Sequence, residues 1–410
     1  MASPRAALGD SHNFGRQVVV RGARVLKPRT VLWEWLLLAR ESPLRRALNQ
    51  AAEQDGAAEA FAFLPSLRFY ASSQAFGGEV ERLELCALGR PSAVLRLELA
   101  RVVGRALALF SWLGLADLHW ENLVLGRDGR DRIVFGPLDV EMILADLSLP
   151  TETKLLPDGD PEYVEVCRHA AGVRRVLPYL GKPIRPPHLL AMAGAYLGTL
   201  DLLERHRSAL AQSVAQVPGL RDTPIRVCLR GTDEYVRARS APPWPPLLEA
   251  ERVQLERGDI PYFFRFYGRA GLHYFDNREL TRLRRLPLRG DVPQLAPLLS
   301  LARGLGAPSR QKLRQDGLFT LLGAFDDVSL TGLHQNDELG LRFGARTLRV
   351  TLADGRELET SRNLRAFVGS VYLPCRCGEV RSVFVPTVTR CAMARAKPPR
   401  YASGRGRTRL

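Results

Sequence analysis

Hydrophobic and polar positions divide the chain into distinct regions. Residues 16–30 carry two β-branched runs, QVVVR and ARVLKPR, on either side of Gly22, and predict a hairpin whose second strand ends at Lys27. Apolar spacing over about 31–53 predicts an amphipathic helix. Residues 58–90 keep no clear period, and LPSLRFYASS suits either a strand or a linker. Leu95, Leu97, Leu99, Val102, Val103, Ala106, Leu107 and Leu109 predict a helix from Pro91 to Leu113. Far downstream, residues 316–386 read as strands: LFTLLGAF, ELGLRFG, TLRVTLADGRELET with an Asp-Gly turn, and AFVGSVYLP.

The helix at 91–113 leads into LADLHWENLVLGRDGRDRIVFGPLDVEMIL, residues 115–144. Asp117, His119, Glu121 and Asn122 share one short loop. NLVLG and RIVFG then flank the turn GRDGRD, and Asp139 and Glu141 follow. The acids are therefore expected at the ends of a hairpin.

Composition narrows the setting. With 410 residues, 46% of them apolar, the chain can bury a sizeable core. Every apolar run is interrupted by charge before reaching the roughly 20 residues of a membrane span, and MASPRAALGDSHN has no apolar signal region. A cytoplasmic location is the expectation. Six scattered cysteines suit reduced thiols; Cys375 and Cys377 lack the second pair that a zinc site needs. The net charge of +16 raises nucleic acid as a partner, yet no basic and aromatic stripe tracks a backbone, so none is expected. Much of the surplus lies beyond Glu379, where eight Arg or Lys occur without an acid, and YASGRGRTRL predicts a disordered tail.

The loop suits phosphoryl transfer. An Asp can orient a hydroxyl nucleophile, an Asn five residues later can hold Mg²⁺, and an Asp after the next strand can hold the metal between phosphates. Asp117, Asn122 and Asp139 match those tasks in order and spacing. Lys27, one of five lysines in the chain, ends the strand from which kinase-like folds supply a cation to the nucleotide. Taken singly, Lys27 could also be a solvated strand end, His12 could hydrogen-bond a turn that Asp10 caps, and Thr232 could be a turn residue. One of Arg226 and Arg230 could face solvent on a strand; Glu121 suits a surface position and Trp120 suits packing.

Several motifs resemble, in order, the dehydratase domain of class II lanthipeptide (lantibiotic) synthetases. These are GDSHNFG at 9–15, Lys27-Pro28-Arg29, Asp117-Leu-His119-x-Glu121-Asn122 and Asp139-x-Glu141. PIRVCLRGTDEYVRA at 224–238 and EAERVQLERGDIPYFF at 249–264 follow. The resemblance spans about residues 9–280. It implies ATP- and Mg²⁺-dependent phosphorylation of Ser or Thr in a ribosomally made precursor peptide, followed by phosphate elimination to dehydroalanine or dehydrobutyrine. On that resemblance Lys27, Arg29 and Glu141 bind nucleotide, Asn122 and Asp139 hold metal, and Asp117 and His119 serve transfer. Asp10, His12, Arg226 and Thr232 would serve elimination.

The implied fold is α/β (α+β): a two-lobed, lipid/protein-kinase-like dehydratase over 1–300, with a hairpin lobe near 9–60 and a larger lobe near 91–280. A β-rich portion of unknown role (301–387) and the basic tail (388–410) follow. Family members carry a long segment before the Asp-x-His motif and a zinc-dependent cyclase after the dehydratase. No Cys here is followed by His, so ring closure by that route is not expected, and a separate cyclase or synthetase is the expected partner. Two other readings stay open: a non-catalytic binding module that keeps the fold, and a kinase-like phosphotransferase without elimination.

Overall fold

The computed structural model describes residues 6–70, 77–144, 150–156, 171–181, 184–229, 232–240, 248–267, 271–286, 310–325, 330–345 and 347–361, with short pieces at 375–376 and 379–380. The fold is mixed α+β. Four antiparallel strands, β1 (Ala6–His12), β2 (Arg16–Arg21), β3 (Arg24–Lys27) and β4 (Gly78–Glu81), form the first sheet in that order. The expected hairpin is present: Arg21 pairs with Arg24 and Val20 with Val25 around Gly22, whose φ of +57° is a conformation glycine adopts without strain.

The single helix expected over 31–53 is two, α1 (Leu32–Leu38) and α2 (Pro43–Gln54). Ser42 decides the break. A residue before proline disfavours helical backbone, and the Ser42 hydroxyl accepts from Arg45 N (3.1 Å) to cap α2 while donating to the Leu36 carbonyl (2.6 Å). Helical periodicity continues across the break because both helices face the same core.

The long helix appears as expected: α3 (Ala93–Trp112), capped by the Ser92 hydroxyl. The β5 (Leu123–Arg127) and β6 (Ile133–Pro137) hairpin follows, with Asp128 accepting from Arg130 N and Arg132 N to fix the turn. After the short α4 (Leu177–Leu180), α5 (Pro186–Arg205) crosses α3 so closely that a Cβ on Gly104 would stand 2.1 Å from the Met192 carbonyl oxygen. Then come α6 (Arg207–Ala215) and a second antiparallel sheet, ordered β10-β9-β8-β7. Its strands are β7 (Pro224–Val227), β8 (Phe263–Phe266), β9 (His273–Phe275) and β10 (Leu283–Arg285), with α7 (Thr232–Ser240) and α8 (Glu249–Glu256) between β7 and β8.

LFTLLGAF is helix, not strand: it forms the second half of α9 (Arg310–Phe325). An uninterrupted apolar run reads alike in a buried helix and a buried strand. Packing against α5 decides, with the buried Tyr196 hydroxyl donating to the Leu313 carbonyl at 2.6 Å. The meander β11 (Gly332–Gln335), β12 (Leu339–Phe343), β13 (Thr347–Leu352) and β14 (Glu357–Ser361) bears out the strands expected in ELGLRFG and TLRVTLADGRELET, including the Asp-Gly turn. Leu318, Leu322, Leu341 and Val350 share one buried cluster with Leu37, Phe110 and Leu189, so this portion packs onto the main core. AFVGSVYLP, Cys377 and the basic tail lie outside the described residues. No described helix is long and apolar enough to cross a membrane.

Candidate functional site

Strand β3 brings Lys27 at its end, and Arg29 two residues beyond it, to the open end of the β5–β6 hairpin. The Lys27 ammonium, almost fully buried, donates to Glu34 Oε1 (2.9 Å) and to the Leu138 carbonyl (2.6 Å), one residue before Asp139. Arg29 is the hub: its guanidinium donates to Glu34 Oε1 (2.6 Å) and to Asp139 Oδ1, and its Nε pairs with Glu141 Oε1 at 2.6 Å. Glu34, from α1, is fully buried and also accepts from Val140 N. Grouping buried cations with carboxylates is what offsets their desolvation penalty.

Across the hairpin end, Leu138 N donates to the Asn122 carbonyl (3.0 Å), which sets Asn122 beside Asp139. Asn122 Nδ2 donates to Asp117, at its carbonyl (2.9 Å) and at Oδ2 (3.3 Å). Asp117 has φ +65°, a left-handed conformation uncommon for a residue with a Cβ and concentrated at functional sites. Facing it, Lys154 at φ +62° brings its ammonium to 3.6 Å from Asp117 Oδ1. The turn is held by the buried Thr153, whose carbonyl accepts from Leu118 N.

Strand β7 adds Arg226. Its backbone N–H donates to the Glu141 carbonyl (2.9 Å), its guanidinium lies 3.5 Å from Glu141 Oε2, and its buried Nε has no partner among the described residues. The guanidinium carbon stands 5.3 Å from the centre of the Tyr262 ring, and the His12 ring lies 5.5 Å from the same ring. Six motif residues, Lys27, Arg29, Asp139, Glu141, Arg226 and His12, thus converge. Asp117 and Asn122 border them.

Charge sets the protonation pattern. Burial opposes ionisation of Asp139, but the Arg29 and then the Lys27 charges overcome it and hold the carboxyl at about 2. Burial pushes Glu141 up despite Arg29, and the neighbouring Asp139 charge adds to the rise. Two carboxyls one residue apart are therefore driven in opposite directions, as acid and base assignments require. Burial, then the Arg226 charge, pushes His12 down to about 4.

The remaining candidates lie at the margin. The Asp10 side chain is exposed on β1 and bonds to no described residue; Thr232 is exposed at the start of α7 and likewise unbonded. His119 precedes a short turn, 3.9 Å from the exposed Glu121. Trp120 packs under the Arg174 and Arg175 guanidiniums. Arg230 lies outside the described residues.

Sequence reasoning missed Glu34, Lys154, Asp259 and Tyr262 as participants. Signals existed for two: Glu34 is the sole acid within the apolar LWEWLLL, and lysines are few. Asp259 and Tyr262 lay inside a quoted motif without a role.

No group of three or more His, Cys, Asp or Glu among the described residues could hold a metal by itself. Mg²⁺ needs less, since it is commonly held by one or two carboxylates together with phosphates and water. Asn122 Oδ1 and Asp139 Oδ2, neither bonded to a described residue, fit that donor set. Set beside known proteins, the sequence matches no family model and no curated protein. The lanthipeptide resemblance therefore rests on the motif residues alone.

Proposed function

We propose that the chain is a Mg²⁺- and ATP-dependent peptide dehydratase of the class II lanthipeptide type, built on a two-lobed kinase-like arrangement. One observation carries this: a buried strand lysine, paired with a helix-borne Glu34, abuts the residue before Asp139. Around it stand a loop carrying Asp117 with Asn122 and a second group made by Arg226 and His12. Kinase-like transfer uses a strand Lys held by a helix Glu, a metal-holding Asp and a loop Asp at the nucleophile. An ordinary kinase gives no reason for the further His and Arg.

In transfer, Lys27 would meet the nucleotide phosphates, and Asn122 and Asp139 would hold Mg²⁺, which neutralises charge on those phosphates. Asp117 would orient the Ser or Thr hydroxyl. In elimination the departing phosphate needs a planar donor pair, which the Arg226 guanidinium supplies. The precursor peptide is the substrate, and a separate cyclase or synthetase the expected partner.

Calorimetry with Mg·ATP and mass spectrometry of co-expressed precursor peptides test this. Asp139→Asn should weaken Mg·ATP binding, whereas Asp117→Ala should keep it and lower transfer by roughly 10²-fold or more. Arg226→Ala should accumulate phosphopeptide instead of dehydrated product. One observation favours a non-catalytic module: Arg29 already occupies Asp139 Oδ1 and Glu141 Oε1. Wild-type protein that binds no Mg·ATP decides for that module; wild-type protein that stops at phosphopeptide decides for a kinase without elimination.

A further inference from the structure

The Asp259 carboxylate is fully buried and collects four donors from two segments. Phe14 N (2.7 Å) and Arg257 Nε (2.7 Å) reach Oδ2; Gly15 N (2.8 Å) and the Ser11 hydroxyl (3.2 Å) reach Oδ1. Its backbone donors come from a tight reversal in which Asn13, Phe14 and Gly15 have φ of +47°, +71° and +78°. Two residues with side chains in that region cost about 1–2 kcal/mol each, so the reversal needs an external hold. Asp259 provides it. Arg257 adds to the clamp, its guanidinium carbon 3.8 Å from the centre of the Phe14 ring.

What the clamp positions is His12. Next to Asp259, Ile260 N donates to the Ser11 carbonyl (2.9 Å), and the Ile260 carbonyl oxygen lies 2.8 Å from His12 Nδ1. A carbonyl oxygen only accepts, so Nδ1 carries the proton and Nε2 the lone pair. No described residue bonds to Nε2.

We propose that Asp259 is a positioning residue that locks His12 as the neutral Nδ1–H tautomer, so that Nε2 accepts the α-proton of a phosphorylated Ser or Thr residue. The use of Nε2 rests on the dehydratase reading; the lock does not. As Nε2 takes the proton, the Cα–H electron pair forms the Cα=Cβ bond. The Cβ–O bond then breaks, and phosphate leaves with its electrons toward the Arg226 guanidinium. The imidazolium returns its proton to water. His12 and Arg226 flank the same Tyr262 ring, which suits a base and a phosphate grip acting on adjacent carbons. Burial and the Arg226 charge, against Asp259 and Asp139, keep the ring neutral at physiological pH.

The test needs neither nucleotide nor peptide, so its failure is distinct from failure of the dehydratase reading. The full chain is labelled with ¹⁵N-histidine, and long-range ¹H–¹⁵N correlations are recorded at pH 7. Seven histidines are present, and His12 is assigned by its loss in His12→Gln. Wild-type His12 should show a protonated Nδ1 and an unprotonated Nε2. Asp259→Asn, and Asp259→Glu as a second displacement, should bring the Nε2–H form up at least severalfold. A wild-type ring that is cationic or Nε2-protonated overturns the proposal, whether or not the variants fold. Folded variants that keep the wild-type tautomer overturn the role of Asp259.

Discussion

Glu34→Gln should be among the most destabilising single substitutions near the site, although it changes one atom. Glu34 Oε1 accepts from Lys27 Nζ at 2.9 Å and Arg29 Nη2 at 2.6 Å, with all three side chains nearly or fully buried. Removing one member of a buried ion pair leaves an uncompensated charge and costs about 3–5 kcal/mol. Glutamine keeps an acceptor oxygen, and Arg29 keeps Asp139 and Glu141, so a loss of about 3 kcal/mol is expected. Lys27 bears most of it, since the Leu138 carbonyl is then its remaining partner among the described residues. Lys27→Met alone should cost less, because Glu34 stays paired with Arg29. The double variant should be milder than the sum by about 1 kcal/mol or more, because the stranded cation is gone. Urea unfolding followed by circular dichroism measures each corner of the cycle, and 3 kcal/mol corresponds to a midpoint shift of roughly 1 M. A Glu34→Gln variant within about 0.5 kcal/mol of wild type would refute a charged, buried Glu34. Strict additivity would refute the Lys27–Glu34 coupling.

Other outcomes follow from the same geometry. Lys154→Met should lower peptide phosphorylation roughly tenfold while leaving Mg·ATP affinity within about twofold in calorimetry, with Lys154→Arg restoring part, because the half-exposed ammonium faces Asp117 from a turn anchored by the buried Thr153. The His12 folded value lies near 4, below the ordinary 6.5, so its contribution is full above pH 6.5, falls as pH drops toward 4, and is flat below. Subtracting urea stabilities of His12→Gln from wild type should expose a slope of up to about 1.4 kcal/mol per pH unit in that window, and a flat difference would contradict the burial of a neutral ring. Gly104→Ala should cost about 1–3 kcal/mol in thermal or urea unfolding, since its Cβ would stand 2.1 Å from the Met192 carbonyl; a neutral result would mean that α3 and α5 can separate cheaply.

Local chemistry made much of the fold legible in the sequence. The Gly22 turn, the hairpin around GRDGRD and the Asp-Gly turn at 354–355 each depend on residues a few positions apart, so neighbouring residues suffice to specify them. The order of Lys27, Asp117, Asn122 and Asp139 likewise pointed to a shared site before any coordinates. Periodicity failed where two structures satisfy one pattern. It ran a single helix through Ser42-Pro43, where backbone sterics and a hydroxyl cap impose a break, and it read LFTLLGAF as strand, where the segment continues a helix whose first half is tied to Tyr196 on α5. Tertiary structure alone decided the electrostatics. Arg29 meets Glu34, Asp139 and Glu141, and Glu141 meets Arg226, across separations of up to about a hundred residues, while Asp259 holds a loop almost 250 positions earlier. Whether a carboxylate is an exposed surface group or a fully buried anchor depends on which cations the folded chain brings against it, and that pairing is set by the packing of whole sheets and helices.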